Sequence, residues 1–387
     1  MLSMNNILNK LPKQLCTCCG ACVEVCHKKC IKLEEDENQI LYPVISVNEC
    51  IECNLCITAC PVLINRCSSH VKDVYAVKCK DEKLLESSNS GGFFSTFASY
   101  ILDNNGVVCG AEYSEQLQVQ HIVIETKRDL WRLQGSKYVQ SNAHSCFSII
   151  KKYLKEGRIV LFSGTGCQIG GLKGYLSKEY INLITIELVC HGVTAPSLFE
   201  YYIKWLECKK GSRISEFQFR SKKIRPTGEH CKFRYVVDGK EYKGYALEDP
   251  YYSSFLSGKI LRDSCYHCFF KGEIRIADFT IGDYWGIEKI NKDFPANHGV
   301  NVLMINSDKG CLYWNEIKNL FCFDKSTYEN AIMFNPSIWK STSIKNKINY
   351  NIDSKSLFEK DLASSFNLIN FLKGRIPWKL KMLIKNI

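Results

Sequence analysis

The stretch CTCCGACVEVC, residues 16–26, spaces four cysteines as C-x2-C-x2-C-x3-C, and CIECNLCITACP, residues 50–61, repeats that spacing 34 residues later. Cys16, Cys19, Cys22 and Cys26 thus have counterparts in Cys50, Cys53, Cys56 and Cys60, with Pro61 closing the second set. Three thiolates so closely spaced wrap one corner of a cubane iron–sulfur cluster. The fourth lies on the following helix and points to the neighbouring cluster. That geometry assigns Cys16, Cys19, Cys22 and Cys60 to one [4Fe–4S] cluster, and Cys50, Cys53, Cys56 and Cys26 to another.

This is the pattern of bacterial two-cluster ferredoxins. Zinc sites pair two C-x2-C knuckles and do not use a triple followed by a fourth cysteine. His27 stands where a proline would follow Cys26, in a place to hydrogen-bond near a cluster. Cys18 and Cys30 are surplus to the pattern and read as bystanders. The intervening IKLEEDENQILYPVISVN reads as two short strands around a polar turn. A ferredoxin-like module is expected over residues 1–70.

The whole chain has 387 residues, 45% of them hydrophobic and 24% charged, a globular balance with length for two or three domains. Its 22 cysteines are the anomaly. The start, MLSMNNILNKLPKQ, has no apolar signal core and no run is long enough for a membrane span, so cytoplasmic, metal-binding use of cysteine is expected. The formal charge of +11 invites a nucleic-acid reading. Each four-thiolate cubane carries about −2 when oxidised, and three would bring the balance to about +5. Lys78, Lys80, Lys83, Lys209 and Lys210 are scattered rather than striped, and no nucleic-acid partner is expected.

Beyond residue 70 the hydrophobic pattern alternates between strands and helices. VYAVKC (74–79), GVVCGAEY, VQHIVIE, RIVLF and INLITIELV read as strands. SNSGGFFSTFASYILDNNG (88–106), DLWRLQG, SCFSIIKKYLKEG and QIGGLKGYL read as helices. FQFRS, KFRYVVDGKEYKGYAL with its Asp238-Gly239 turn, and DFTIGDYWG add more β structure. The fold class expected is α+β, with the ferredoxin-like module followed by a mixed α/β domain. Within that body, LFSGTGCQIG (161–170) has the strand–glycine–helix order of a phosphate loop. Yet Gly164, Gly166 and Gly170 are spaced one residue too long for a dinucleotide fingerprint, and no Gly-Lys-Ser/Thr is present.

SSNSGGFF, LQGSKYVQS, VLFSGTGCQIGGLK, LVCHGV, CYHCFFKG and GDYWG occur in this order. Together with the cysteine repeat they resemble the coenzyme F-420 hydrogenase/dehydrogenase beta-subunit family, in its form with an N-terminal ferredoxin module, from about residue 10 to about residue 300. The resemblance implies a flavin-dependent iron–sulfur oxidoreductase that passes electrons between clusters, FAD and a substrate. In some members that substrate is a deazaflavin, in others a chlorophyll-type pigment. It also sets Cys167, Cys190, Cys265 and Cys268 apart as a third [4Fe–4S] site. A structural zinc, or ordinary buried thiols, are the competing readings of those four. The family usually has proline where Gly166 stands, so the loop is less rigid here.

In relatives the segments matching Ser90-Gly91-Gly92 and Gly135-Ser136-Lys137-Tyr138 line the flavin site. The residues themselves allow it: a helix start offers N–H groups to a pyrophosphate, and a lysine stabilises negative charge on a reduced flavin. A helix cap and a solvated turn are the plainer readings. Lys137 and His191 are the candidate catalytic residues, His191 as a proton donor. Asp283-Tyr284-Trp285-Gly286 offers aromatics for stacking or for the core.

Cys67, Cys79, Cys109, Cys146, Cys208, Cys231, Cys311 and Cys322 read as core or surface thiols. Residues 71–310 are expected to form the FAD-binding, third-cluster domain. Residues 311–387 would be a divergent extension ending in a basic amphipathic tail, FLKGRIPWKLKMLIKNI, as a solvated helix or a membrane-surface contact. The expected activity is electron transfer from a donor or acceptor protein such as ferredoxin, through the clusters and FAD, to a small organic substrate. The alternatives are a non-catalytic relay subunit and a redox or iron sensor.

Overall fold

In the computed structural model the described residues are 6–66, 69–221, 232–349 and 357–362. The two cysteine loops repeat in backbone as they do in sequence. Cys18 and Gly20 take φ of 51° and 76°, and their counterparts Glu52 and Asn54 take 52° and 64°. Left-handed values cost a non-glycine residue about 1–2 kcal/mol each, so the same strained turn is held twice. It brings the Cys18 N–H to 3.4 Å from the Cys16 sulfur. Each loop runs into a short helix, Ala21–Glu24 or Leu55–Ala59.

Between the loops lies the expected hairpin, β1 (Ile31–Glu35) and β2 (Leu41–Ile45), in antiparallel register from Ile31↔Ile45 to Glu35↔Leu41. Asp36 closes its turn by accepting the N–H groups of Asn38 and Ile40 at 3.0 Å. Ile7, Leu11, Ile31 and Ile45 pack with Cys56 and Cys60 as the small core of this module.

The body begins with β3 (Ser69–His70) and β4 (Asp73–Cys79), then β5 (Val107–Tyr113), β6 (Val119–Ile124), β7 (Val160–Gly164) and β8 (Leu183–Leu188). After β9 (Ile214–Gln218), β10 (Lys232–Val237) and β11 (Lys240–Tyr245) come β12 (Ile274–Arg275), β13 (Phe279–Asp283), β14 (Asn301–Ile305) and β15 (Phe321–Ser326). Eight of these form one mixed sheet in the order β15-β4-β14-β13-β8-β7-β5-β6. The neighbours β5, β7, β8 and β13 run parallel, and the remaining pairs are antiparallel. Parallel strands covered on both faces read as nearly continuous apolar runs, which is why VLFSG and LITIEL stand out in the sequence despite the buried Ser163, Thr185 and Glu187.

Alternate residues of β7 feed two cores. Leu161 joins Phe93, Phe97, Phe279, Trp314 and Phe321 beneath the helices Phe93–Asp103 and Asp308–Ile317. Val160 and Phe162 join Phe147, Ile150, Ile169 and Leu172 beneath Phe147–Lys155 and Gly166–Leu176. A third core is aromatic. Phe199, Tyr202, Phe217, Phe219, Tyr251 and Phe255 pack between the helix Pro196–Lys210, the sheet β11-β10-β9 and the helix Pro250–Leu256. The expected Asp238-Gly239 turn joins β10 to β11 with both residues at positive φ, 47° and 73°.

Three expectations on element bounds are corrected. The helix expected over 88–106 begins at Phe93, because Gly92 caps it from a left-handed conformation with φ 83°. The strand expected at FQFRS lies further upstream, as β9. The boundary expected at 310 is not a structural one. Trp314, Ile317 and Phe321 are core residues, and β15 pairs with β4 from Phe321↔Cys79 to Ser326↔Val74. The basic tail, Cys67 and Cys231 lie outside the described residues. Among the described residues no helix is long and apolar enough to cross a membrane.

His121, on β6, gives the body a pH dependence. It is buried, with Nε2 donating to the Ser163 carbonyl at 3.0 Å and Nδ1 placed 2.7 Å from the Ser141 hydroxyl. Burial lowers its pKa to about 4. The neutral imidazole stabilises the fold fully above the unfolded pKa near 6.5, and that contribution is lost as pH falls towards the folded value. Between pH 7 and 5 the loss is about 2 kcal/mol. Denaturant midpoints measured across that range are expected to fall for the native protein and to fall by distinctly less for His121→Gln. Parallel curves would show that His121 carries no such linkage.

Candidate functional site

Four cysteines from three places in the body line one cavity of about 50 Å³. Cys167 lies in the first turn of Gly166–Leu176, a helix start fixed by Thr165 and Gln168, whose side-chain oxygen accepts the Thr165 N–H at 2.9 Å. Cys190 follows β8. Cys265 lies on the short helix Asp263–Tyr266, and Cys268 follows that helix. Burial raises all four thiol pKa values, Cys265 to about 12, and Cys268, Cys190 and Cys265 each push Cys167 up further. The sulfurs have fixed neighbours. The Val193 N–H lies 3.4 Å from Cys265 Sγ, and the Thr165 hydroxyl 3.1 Å from Cys167 Sγ.

The walls of this cavity carry positive charge. Lys271 donates to the carbonyls of Cys190 and Ser337 and favours the thiolate of both Cys190 and Cys268. Arg275 stands 3.6 Å from Glu187, with only 2% and 3% of the two side chains exposed. Burial raises the Glu187 pKa despite that arginine. Four thiolates around an oxidised cubane carry net negative charge, and the half-buried Lys271 and the buried Arg275 fit such a group. His191 also opens onto this cavity, with Nδ1 3.4 Å from the Thr342 hydroxyl and its ring edge-on to Phe255. Burial, then Lys271, lower its pKa.

The glycines of the 161–174 stretch serve close packing. A Cβ at Gly170 would lie 2.7 Å from Pro61, one at Gly171 3.0 Å from Cys19 Sγ, and one at Gly174 2.0 Å from the Ala59 carbonyl. This glycine face receives both cysteine loops of the N-terminal module. Cys16, Cys19, Cys22 and Cys60 line a second cavity together with Thr17 and Cys18, and Thr17 also lines the first. Gln140 holds the junction, donating through Nε2 to the carbonyls of Thr17 and Cys18 at 3.0 and 3.3 Å.

The remaining set lies on the outer side of the module. Cys53 is exposed, and Cys50 and Cys53 both raise the buried Cys56 thiol. Cys26 Sγ stands 3.4 Å from Cys30 Sγ, so Cys30 is a direct neighbour of the set. Among the described residues no three or more His, Cys, Asp or Glu are gathered closely enough to hold a single metal ion.

The flavin candidates divide into two groups. Asn89 Nδ2 donates to Ser136 Oγ at 3.0 Å, which ties the loop of Ser90-Gly91-Gly92 to that of Gly135-Ser136. Arg220 closes the same corner, donating to both Asp283 oxygens at 3.0 and 3.2 Å and to the Asn89 carbonyl at 2.8 Å. The helix start is partly occupied, since Asn301 Oδ1 accepts the Phe93 N–H at 3.1 Å. Lys137 and Tyr138 turn inward. Lys137 Nζ donates to the carbonyls of Gln134, Gly135 and Arg132 at 2.9, 3.2 and 3.4 Å, and burial lowers its pKa to about 7. Tyr138 stacks on Phe255 at 4.6 Å. Tyr284 is buried, and Trp285 is exposed. Sequence reasoning missed Arg220, Asn301, Lys271 and Arg275 as site residues. Lys271 lay inside the quoted CYHCFFKG and Arg220 inside FQFRS, as Gln140 and Asp283 lay inside LQGSKYVQS and GDYWG, but none was singled out.

The docking of the module on the glycine face is testable. In Gly174→Val the new side chain must displace the Ala59 backbone, an overpacking that costs about 1–3 kcal/mol. The variant is expected to melt earlier than the native protein and to expose the module to limited proteolysis. Native melting and native cleavage would refute the close approach.

Three family models match in chain order. Residues 15–64 match a 4Fe-4S dicluster domain. Residues 74–147 match the N-terminal part of the coenzyme F420 hydrogenase/dehydrogenase beta subunit, and residues 157–331 its C-terminal part. The two beta-subunit matches together span well over half the chain. A search of curated proteins gives no match. A solved structure, a xenon derivative of the F420-reducing [NiFe] hydrogenase complex from Methanosarcina barkeri, is similar at 14% identity. It covers 70% of this chain and 87% of that chain, with a TM-score of 0.46.

Proposed function

This chain belongs to the coenzyme F420 hydrogenase/dehydrogenase beta-subunit family, with an N-terminal 4Fe–4S dicluster segment, and from that premise we propose an oxidoreductase with three clusters in series. The family and the dicluster segment make it an iron–sulfur electron-transfer subunit. The finer reading concerns order. Cys50, Cys53, Cys56 and Cys26 hold the outer cluster, and the exposure of Cys53 supports contact there with a donor or acceptor protein such as ferredoxin. Cys16, Cys19, Cys22 and Cys60 hold the inner one, and Cys167, Cys190, Cys265 and Cys268 the third.

The observation that carries this order is Thr17, a wall of both the inner and the third cavity. When bound, the clusters would supply one-electron carriage, and FAD its conversion to two-electron reduction of a small organic substrate. The chain's own residues set the conditions. Lys271 and Arg275 balance negative charge at the third set. The corner formed by Ser90-Gly91-Gly92, Gly135-Ser136 and Arg220 is where a flavin would be held. Lys137, fixed on three carbonyls next to that corner and with its pKa lowered to about 7 by burial, is a group able to hold or release a proton there. His191 belongs beside the third set rather than at the substrate.

A second reading is a relay subunit without flavin. It draws on Asn301, which already occupies the Phe93 N–H that a pyrophosphate would use. Iron, acid-labile sulfide and released flavin per chain, measured on anaerobically purified protein, separate the two. About twelve irons, matching sulfide and one FAD are expected, with about four irons lost in Cys167→Ser. About eight irons and no flavin would leave the relay alone.

A further inference from the structure

Arg262 is the largest fully buried side chain among the described residues, 2% exposed, and it lies where the N-terminal module meets the body. Its backbone is anchored among the third set: its N–H donates to the Val193 carbonyl, and its own carbonyl accepts the Cys265 N–H, both at 2.9 Å. From there the side chain crosses into the module. Nη2 donates to the Leu41 carbonyl at 3.0 Å, and the guanidinium lies 5.1 Å above the Tyr42 ring.

Two further polar atoms, Nε and Nη1, are buried without a hydrogen-bond partner. An arginine cannot shed its proton to escape that cost, and its N–H groups are all donors. A fixed buried cation with unused donors calls for an anion nearby. Two thiol sets flank it. Cys265 donates its backbone N–H to the Arg262 carbonyl, and Pro43, next to the Leu41 and Tyr42 that the guanidinium touches, lines the cavity of Cys16, Cys19, Cys22 and Cys60.

We propose that Arg262 is a shared electrostatic element for two iron–sulfur sites, its buried fixed charge lying between the inner set that includes Cys16 and the third set that includes Cys265. Reduction adds one negative charge to a cluster, and a buried cation stabilises that form more than the oxidised one, raising the reduction potential. One residue placed between two sites raises both together. Electrons entering at the outer, exposed cluster are then drawn inward without a large step between the inner and third sites. The inference rests on the reading of both thiol sets as cluster ligands.

The test is a potentiometric titration followed by electron paramagnetic resonance, on the full chain with its clusters, for the native protein, Arg262→Gln and Arg262→Lys. Iron is counted in each. In Arg262→Gln at full iron content, two of the three midpoints are expected to fall by at least tenfold in the reduction equilibrium constant, 59 mV for a one-electron couple. In Arg262→Lys, which keeps the charge, most of that fall is expected to be recovered.

Unchanged midpoints in the glutamine variant at full iron content overturn the proposal, even where its melting temperature drops, because a mere strap between module and body moves stability alone. Should the glutamine variant fail to retain iron, the lysine variant decides. Full iron with near-native midpoints supports the charge role, and loss of iron there too overturns it. A native protein with fewer than three clusters is a different failure, that of the underlying reading, and is visible before any Arg262 variant is made.

Discussion

The arrangement depends on how closely the N-terminal module approaches the helix Gly166–Leu176. Gly170, Gly171 and Gly174 leave no side chain on the face that meets Pro61, Cys19 and Ala59, and the last of these approaches would put a Cβ 2.0 Å from a backbone oxygen. Only glycine permits that distance. The helix carries Cys167 at its start and the module on its flank. Close docking therefore fixes the spacing between a thiol set of the module and the thiol set of the body. Looser docking would separate the two cavities that now share Thr17.

Electrostatics makes the same demand. Burial pushes Cys16, Cys19 and Cys265 up to about 12, and neighbouring thiols add to the shift in each case. A cluster of such groups, left as thiolates, would be strongly disfavoured in a low-dielectric interior. Lys271, Arg275 and Arg262 are placed where they offset that cost, and none of them has a carboxylate in a simple surface pair. Arg275 with Glu187 is a buried pair whose partner also accepts from Thr280 at 3.1 Å. Replacing one member of such a pair leaves an uncompensated charge.

What could be read in the sequence follows from how local each signal is. The cysteine repeat was legible because cluster ligation needs fixed spacings along the chain, and the paired left-handed turns at Cys18 and Glu52 follow from it. The strands β7 and β8 were legible because burial on both faces makes them mainly apolar, with Ser163, Thr185 and Glu187 as buried polar exceptions. The glycines of 161–174 were not. Whether a glycine admits a phosphate, a cluster or a helix depends on what approaches it in space, and nothing in the strand–glycine–helix order says which. The stretch after 310 was misjudged because β15 is an edge strand. Its pattern is mostly exposed, and it reads as polar extension until β4 is seen beside it. Arg262 gave no signal at all, since a single arginine three residues before Cys265 has no periodicity or motif to mark it.

The central claim is adjacency of the inner and third sites, and magnetic interaction measures it most directly. In fully reduced protein, electron paramagnetic resonance is expected to show signals broadened and split by coupling between neighbouring paramagnetic clusters, and this coupling should simplify in Cys190→Ser. A spectrum that is the plain sum of independent clusters, unchanged in shape when the third set is disrupted, would contradict the shared wall at Thr17 and the series built on it.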